Sequence, residues 1–190
     1  QTLSRADASP FASERPLRSM TRAALLGASL LLPTYGLGLA QQEPLGILVE
    51  SPTMETGVLM PRDYSPDGRN VSPPLVWRNL PAGTRQLVVL CEDHGAGSPP
   101  PWVHWLVYNI PVSAGGLPEG IPFDSHEPMP AGLDGVRQGL NGWGLPMYRG
   151  PAPPVGTVHE YWFVVYALDT EMNLPPGLDR TEVLGSIVGH

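Results

Sequence analysis

PPPWVHWLVYNIP, residues 99–111, decides how this chain is read. Three prolines give way to a run of aromatic and β-branched residues, the composition of a pleated, largely buried strand. Alternation along that strand places His104 on one face with Trp102, Leu106 and Tyr108. A second stretch has the same design. GPAPPVGTVHEYWFVVYALD, residues 150–169, puts His159 in line with Tyr161, Phe163 and Val165. An imidazole titrates near neutral pH, donates or accepts hydrogen bonds and binds metals. Two of them heading apolar strands beside proline-rich loops predict one small polar pocket, against the alternative of two satisfied core histidines.

Outward from these strands the chain reads as strand, turn, strand. RQLVVLCED (85–93) is a buried central strand, preceded by the turn PAGT (81–84) and the strand candidates LVWRNL (75–80) and GILVES (46–51). With 24 prolines and 22 glycines, turns outnumber long helices, and an all-β core follows. Trp105, Tyr108 and Trp162 are expected in that core, whereas Trp102 adjoins the loop. Only TEVLGSIVGH (181–190) has helical character, with Thr181 as candidate N-cap and Glu182 in the first turn. The Gly/Pro-rich stretch 112–158 is too long for an inert connection and is expected to wall the pocket.

Composition, 42% hydrophobic and 15% charged, supports a packed globule. Net charge is −7 and all eleven basic residues are arginine, with no basic stripe, which argues against a nucleic-acid surface. Cys91 is the sole cysteine, so an intramolecular disulfide and a multi-cysteine zinc site are excluded, and its place in LVVLC marks a small buried hydrophobe. Residues 1–19 show no apolar periodicity. From Met20, a natural-looking initiator, MTRAALLGASLLLPTYGLGLAQQ has the basic flank, short apolar run and small residues of a secretory signal, with cleavage expected near Ala40–Gln41. The expectation is therefore a leader over 1–40, one domain over 41–190, export to a periplasmic or extracellular space, and no membrane span after processing.

Four ordered blocks resemble one family: YSPDGRNVSPPLVWRNLPAGTRQLVVLCED (64–93), WVHWLVYNIP (102–111), LPEGIP (117–122) and YRGPAPPVGTVHEYWFVVYALD (148–169). Together they are similar to the bacterial Raf-kinase-inhibitor-like (YbhB/YbcL) branch of the phosphatidylethanolamine-binding proteins. The resemblance implies a Greek-key β-sandwich with small peripheral helices and a surface pocket for phosphate or similar anions. Carried over residue by residue, it implies ligand-binding roles for Asp93, Trp102, His104, Gly150, Pro153, Pro154, His159 and Tyr161. Departures are the aspartate loop EDHGAG (92–97), with His94 and Gly95 where a proline and a second aspartate are usual, and His159-Glu160-Tyr161, where arginine usually follows the histidine. The chain also ends at GSIVGH, where relatives continue through a further helix turn and strand.

A phosphate between His104 and His159 wants several N–H or O–H donors. The Gly150–Val155 loop is a candidate source of backbone donors, although Pro151, Pro153 and Pro154 supply none. Asp93 is assigned to orienting a histidine or holding a cationic head group. Glu160 is expected to point away from the site, and His94 is either an added imidazole for anions or a solvated loop residue. The leading expectation is a non-enzymatic protein that binds an anionic or phosphorylated small ligand, with a lipid head group among the candidates and neither cofactor nor resident metal. Two alternatives stay open. One is a metal-dependent or hydrolytic enzyme using Asp93, His104 and His159, with Ser98 as nucleophile, although no HExxH or GxSxG motif supports it. The other is a kinase or protease inhibitor acting through its surface. A homodimer is also left open.

Overall fold

The computed structural model describes residues 46–97, 99–122 and 127–190. The leader, the Met20 start, the Ala40–Gln41 cleavage point and Ser98 lie outside those residues. Seven strands form two antiparallel sheets. β1 (Leu48–Glu50), β2 (Leu75–Arg78) and β5 (Gly116–Leu117) make the smaller, in the order β1-β2-β5. β3 (Gln86–Asp93), β4 (Trp102–Pro111), β6 (Arg137–Gln138) and β7 (Tyr161–Leu168) make the larger, in the order β6-β4-β3-β7. The all-β core read from turn density and short apolar runs, and the sandwich that the family resemblance implies, are the observed architecture.

One apolar layer joins the sheets. Leu75, Trp77 and Leu117 of the small sheet pack in one cluster with Leu87, Val89, Cys91, Trp105, Val107 and Val165 of the large one. The outer face of the large sheet carries a second cluster, Val88, Leu90, Val103, Leu106, Tyr108 and Leu168, covered by Val183 and Ile187. These last two come from α1 (Arg180–Ser186) and its C-cap. β3 is buried along its whole length because it is central and covered on both faces. Cys91 within it is buried, and desolvation pushes its thiol pKa far up, so it behaves as the small hydrophobe its neighbours suggested.

The helix begins earlier than the sequence reading put it. Asp179, not Thr181, is the N-cap: its carboxylate accepts the Glu182 N–H at 3.0 Å while the Glu182 carboxylate accepts the Asp179 N–H at 2.9 Å. Asp179-Arg180-Thr181-Glu182 is a reciprocal capping box, which satisfies two orphan donors where Thr181 would satisfy one.

Strict alternation also fails once in β4, with consequences for the site. Cys91 pairs with Trp105 but Glu92 pairs with Val103, so His104 is an extra residue opposite that step of β3. Such a bulge turns two successive side chains toward one face. Trp102 and His104 thus lie with Trp105 on the inner face, whereas Leu106 and Tyr108, expected beside His104, belong to the outer cluster. A second shift between Leu87 and Val89 accompanies Asn109 at φ 58°, whose side-chain amide clasps the Leu174 backbone N–H and C=O at 3.0 and 2.8 Å.

Trp162 departs from its expected core position. It is 52% exposed, on the outer face of an edge strand, where its ring stacks on His94 at 4.4 Å. Trp105 and Tyr108 are fully buried as expected.

Candidate functional site

The last row of the large sheet builds the site. Asp93 pairs directly with Trp102 of β4 on one side and with Tyr161 of β7 on the other, so the three side chains share the inner face. The bulge adds His104 to that row, and His159 joins from the segment just before β7. His159 lies outside the strand, two residues ahead of its first residue Tyr161.

Asp93 is the hub. Its Oδ2 accepts from His159 Nδ1 at 2.8 Å and lies 3.9 Å from His104 Nε2, while its Oδ1 accepts the Gly95 N–H at 2.7 Å. Burial by itself would raise the Asp93 pKa. The His159 and Gly95 hydrogen bonds and the Tyr161 hydroxyl outweigh it, and the carboxyl is held below its ordinary range as a carboxylate. Asp93 therefore fixes His159 with Nδ1–H turned inward, which leaves Nε2 as that ring's remaining polar atom.

His104 is fixed from the opposite direction. Its Nδ1 lies 2.6 Å from the Arg149 carbonyl oxygen, and a carbonyl only accepts, so Nδ1 carries the proton and Nε2 faces Asp93. Burial pushes the His104 pKa down despite the Arg149 carbonyl and the Asp93 charge, so the neutral ring is favoured. In that state Nε2 offers a lone pair, and donation to an anion requires uptake of a proton there.

Tyr161 completes the cluster. Its ring stands perpendicular to His104 at 5.1 Å, and its buried hydroxyl makes no well-formed hydrogen bond among the described residues, although it lies close enough to Asp93 for each to perturb the other. Burial and the neighbouring Asp93 charge push its pKa far up, so the phenol stays protonated as a donor.

The loop residues fall into two groups. Gly150 is buried under Tyr64, where a Cβ would sit 1.9 Å from the Tyr64 carbonyl oxygen, and its N–H is already taken by Asn70 Oδ1 at 2.9 Å. Gly150 is thus a structural requirement whose donor is already spent, which leaves the loop fewer amides still than its three prolines allow. Pro153 and Pro154 belong to the turn leading to His159, where the Pro154 carbonyl caps Thr157 at 3.0 Å, and no described hydrogen bond or ring contact ties them to Asp93.

Three contributors escaped the sequence reading. Gly95 presses against His159 so closely that a Cβ would lie 2.7 Å from the ring, hence a side chain at this position of EDHGAG would displace the histidine. Trp143 meets both His104 and Trp102 edge-on, at 5.2 and 5.3 Å. It rides on a turn built around Asn141, whose Oδ1 accepts from the Trp143 and Leu145 N–H groups at 2.9 and 3.1 Å and whose Nδ2 donates to the Met147 carbonyl at 2.9 Å. Arg149 stacks its guanidinium over Trp143, 4.4 Å from the ring centroid. The paired Asn-Gly and Trp-Gly steps of NGWGLP (141–146) were the available signal for that turn.

Among the described residues no group of three or more His, Cys, Asp or Glu is arranged to hold a metal, and no helix is long and apolar enough to cross a membrane.

A two-sheet antiparallel sandwich that gathers Asp93, His104, His159 and Tyr161 at one end of its inner face defines the class of protein by its fold. The chain belongs to the phosphatidylethanolamine-binding protein family, whose sequence profile matches residues 50–190. It is 43% identical over 131 residues to a UPF0098 protein of Methanothermobacter thermautotrophicus, covering 69% of this chain and 82% of that one. It is 45% identical over 105 residues to the UPF0098 protein YbhB of Escherichia coli, 55% of this chain and 64% of the relative. A putative lipoprotein, LppC, of Mycobacterium tuberculosis is 38% identical over 146 residues, 76% of this chain and 66% of the relative. Among solved structures, E. coli YbcL superposes with a TM-score of 0.64 at 30% identity, covering 73% of this chain and 87% of that one.

Proposed function

We propose that this protein is a non-catalytic binder of a phosphorylated or otherwise anionic small ligand, held over His104, His159 and Tyr161 while Asp93 orients the rings. The observation that carries the reading is the buried Tyr161 hydroxyl, a protonated donor left without a well-formed partner beside a carboxylate that already has its own. An orphaned buried donor is costly unless something fills it. Nε2 of His159 and Nε2 of His104 supply further donors once each ring takes up a proton there, which suits a tetrahedral oxyanion. Asp93 stays out of contact with the anion and works through the histidine it holds. Export to a periplasmic or extracellular space is part of the proposal, supported by the signal-like residues 20–41 and by the similarity to LppC.

Calorimetric titration with inorganic phosphate and with phosphoethanolamine tests it. Wild type is expected to bind both, and His104→Ala and His159→Ala to bind roughly tenfold or more weakly, as loss of a charged hydrogen bond implies. Identical isotherms for all three proteins would end the proposal.

A further inference from the structure

We propose that Arg149 is the anion-selecting residue of this pocket: its guanidinium, laid across Trp143 at the rim, supplies the fixed positive charge and forked donor that the strand residues lack. The inference rests on the anion-binding reading above and goes further, because it assigns charge selection to a residue outside the histidine strands.

The cluster around Asp93 is poor in positive charge. Asp93 is an anion, Tyr161 is held neutral, and His104 is driven toward its neutral form. Position 160, beside His159, is a glutamate on an exposed edge. Arg149 is bound to His104 in both directions: its N–H donates to the His104 carbonyl at 3.0 Å, and its own carbonyl accepts from His104 Nδ1 at 2.6 Å. Its side chain therefore starts beside the ring, and its guanidinium lies over Trp143, the indole that meets both His104 and Trp102 edge-on. The charge is felt within the site, since Arg149 lowers the His104 pKa. Stacking uses the plane of a guanidinium and leaves its in-plane N–H groups directed outward as a fork, the geometry that matches two oxygens of one phosphate. The other arginines near acidic groups are committed elsewhere: Arg180 to Glu92, Arg69 to Asp63 and Glu119, Arg78 to Glu50.

The hydrogen bonds that fix His104 run through the backbone of residue 149, so substituting its side chain removes the charge and spares the tautomer. Titration of full-length wild type, Arg149→Gln and Arg149→Lys with inorganic phosphate, each at low and at near-physiological salt, is the test. Arg149→Gln is expected to weaken phosphate binding roughly ten- to hundredfold and to flatten its salt dependence. Arg149→Lys is expected to fall between, keeping the salt dependence while losing the fork. A merely structural arginine would leave the salt dependence unchanged. Arg149→Gln binding like a wild type that does bind would overturn this inference and leave the proposed function standing, and Arg149→Lys matching wild type would overturn the forked contact. Wild type that binds neither phosphate nor phosphoethanolamine would overturn both.

Discussion

Glu92 and Asp93 are consecutive residues of one strand, both buried carboxylates near a histidine, yet they face opposite sides of the sheet and meet opposite chemistry. Glu92 points to the outer face, where Arg180 Nε donates to it at 2.6 Å and His94 Nε2 lies 3.9 Å away. Asp93 points to the inner face, where it accepts from one imidazole and a backbone N–H and lies near a second imidazole and a phenol. A guanidinium is permanently charged and neutralises its carboxylate for good. Imidazoles and a phenol exchange protons or hydrogen bonds with a visitor and can rearrange around it. Burial of a carboxylate therefore says little about role, and the nature of the partner says a great deal: Glu92 ties α1 to the sheet, whereas Asp93 organises a cluster of titratable side chains.

The sharpest way to break this comparison is to remove Arg180. Glu92 would remain buried without its compensating charge, the case in which breaking a buried pair costs about 3 kcal/mol or more. Arg180→Ala is expected to lower the thermal midpoint by on the order of 10 °C, read by circular dichroism, with phosphate affinity of the folded fraction unchanged. Lost phosphate binding at full stability would reverse the roles assigned to the two carboxylates.

An intermediate effect follows from protonation. His104 has a folded-state pKa below its ordinary 6.5, so in the window beneath that value the unfolded chain binds a proton that the folded chain refuses. Stability is then lost as pH falls below about 6.5, with a slope of at most about 1.4 kcal/mol per pH unit for one proton. Asp93 has a folded-state pKa below 3.8, so its contribution is present above that value and is lost as pH falls further. The groups facing His104 are Asp93 from β3, Tyr161 from β7, and Arg149 and His159 from the loops. Urea denaturation across pH 3–8 measures the effect. The difference curve between wild type and His104→Gln is expected to show the upper step alone, and a flat difference between pH 5 and 7 would contradict a neutral buried His104.

Much of the sandwich was legible, because strands β2, β3, β4 and β7 announce themselves through aromatic and β-branched runs closed by Pro/Gly turns, and because their burial agrees with their hydrophobicity. His104 and His159 were legible from their place at the heads of apolar strands, Asp93 and Tyr161 only through the family resemblance, and the structure gathers the four side chains together. What the sequence concealed was of three kinds. The bulge at His104 is a property of the pairing with β3 and leaves no mark on either strand alone, so the faces assigned to Leu106 and Tyr108 came out inverted. Gly150 was carried over as a ligand-facing residue when its real constraint is the Tyr64 carbonyl, 86 residues upstream, which leaves no room for a Cβ. Trp143 rides on a turn that Asn141 folds back on itself, and Arg149 is held by backbone bonds to His104, hydrogen-bond arrangements that residue type permits without dictating.

The smallest effect belongs to His94, the residue that the sequence left divided between an extra anion donor and a solvated loop side chain. The structure gives it a third position. It stacks on exposed Trp162 and sits on the Glu92 side of the sheet, while its N–H donates to the Glu160 carbonyl at 3.0 Å. That backbone bond survives substitution, and a partly exposed histidine–carboxylate pair at 3.9 Å is worth no more than about 1 kcal/mol. His94→Ala is therefore expected to cost less than about 1 kcal/mol in urea denaturation and to leave phosphate affinity unaltered, because the ring and the ligand are separated by the sheet itself. A several-fold weakening of phosphate binding in His94→Ala would mean that the outer face communicates with the inner one through Glu92 and Asp93, and the separation of the two carboxylates would have to be abandoned.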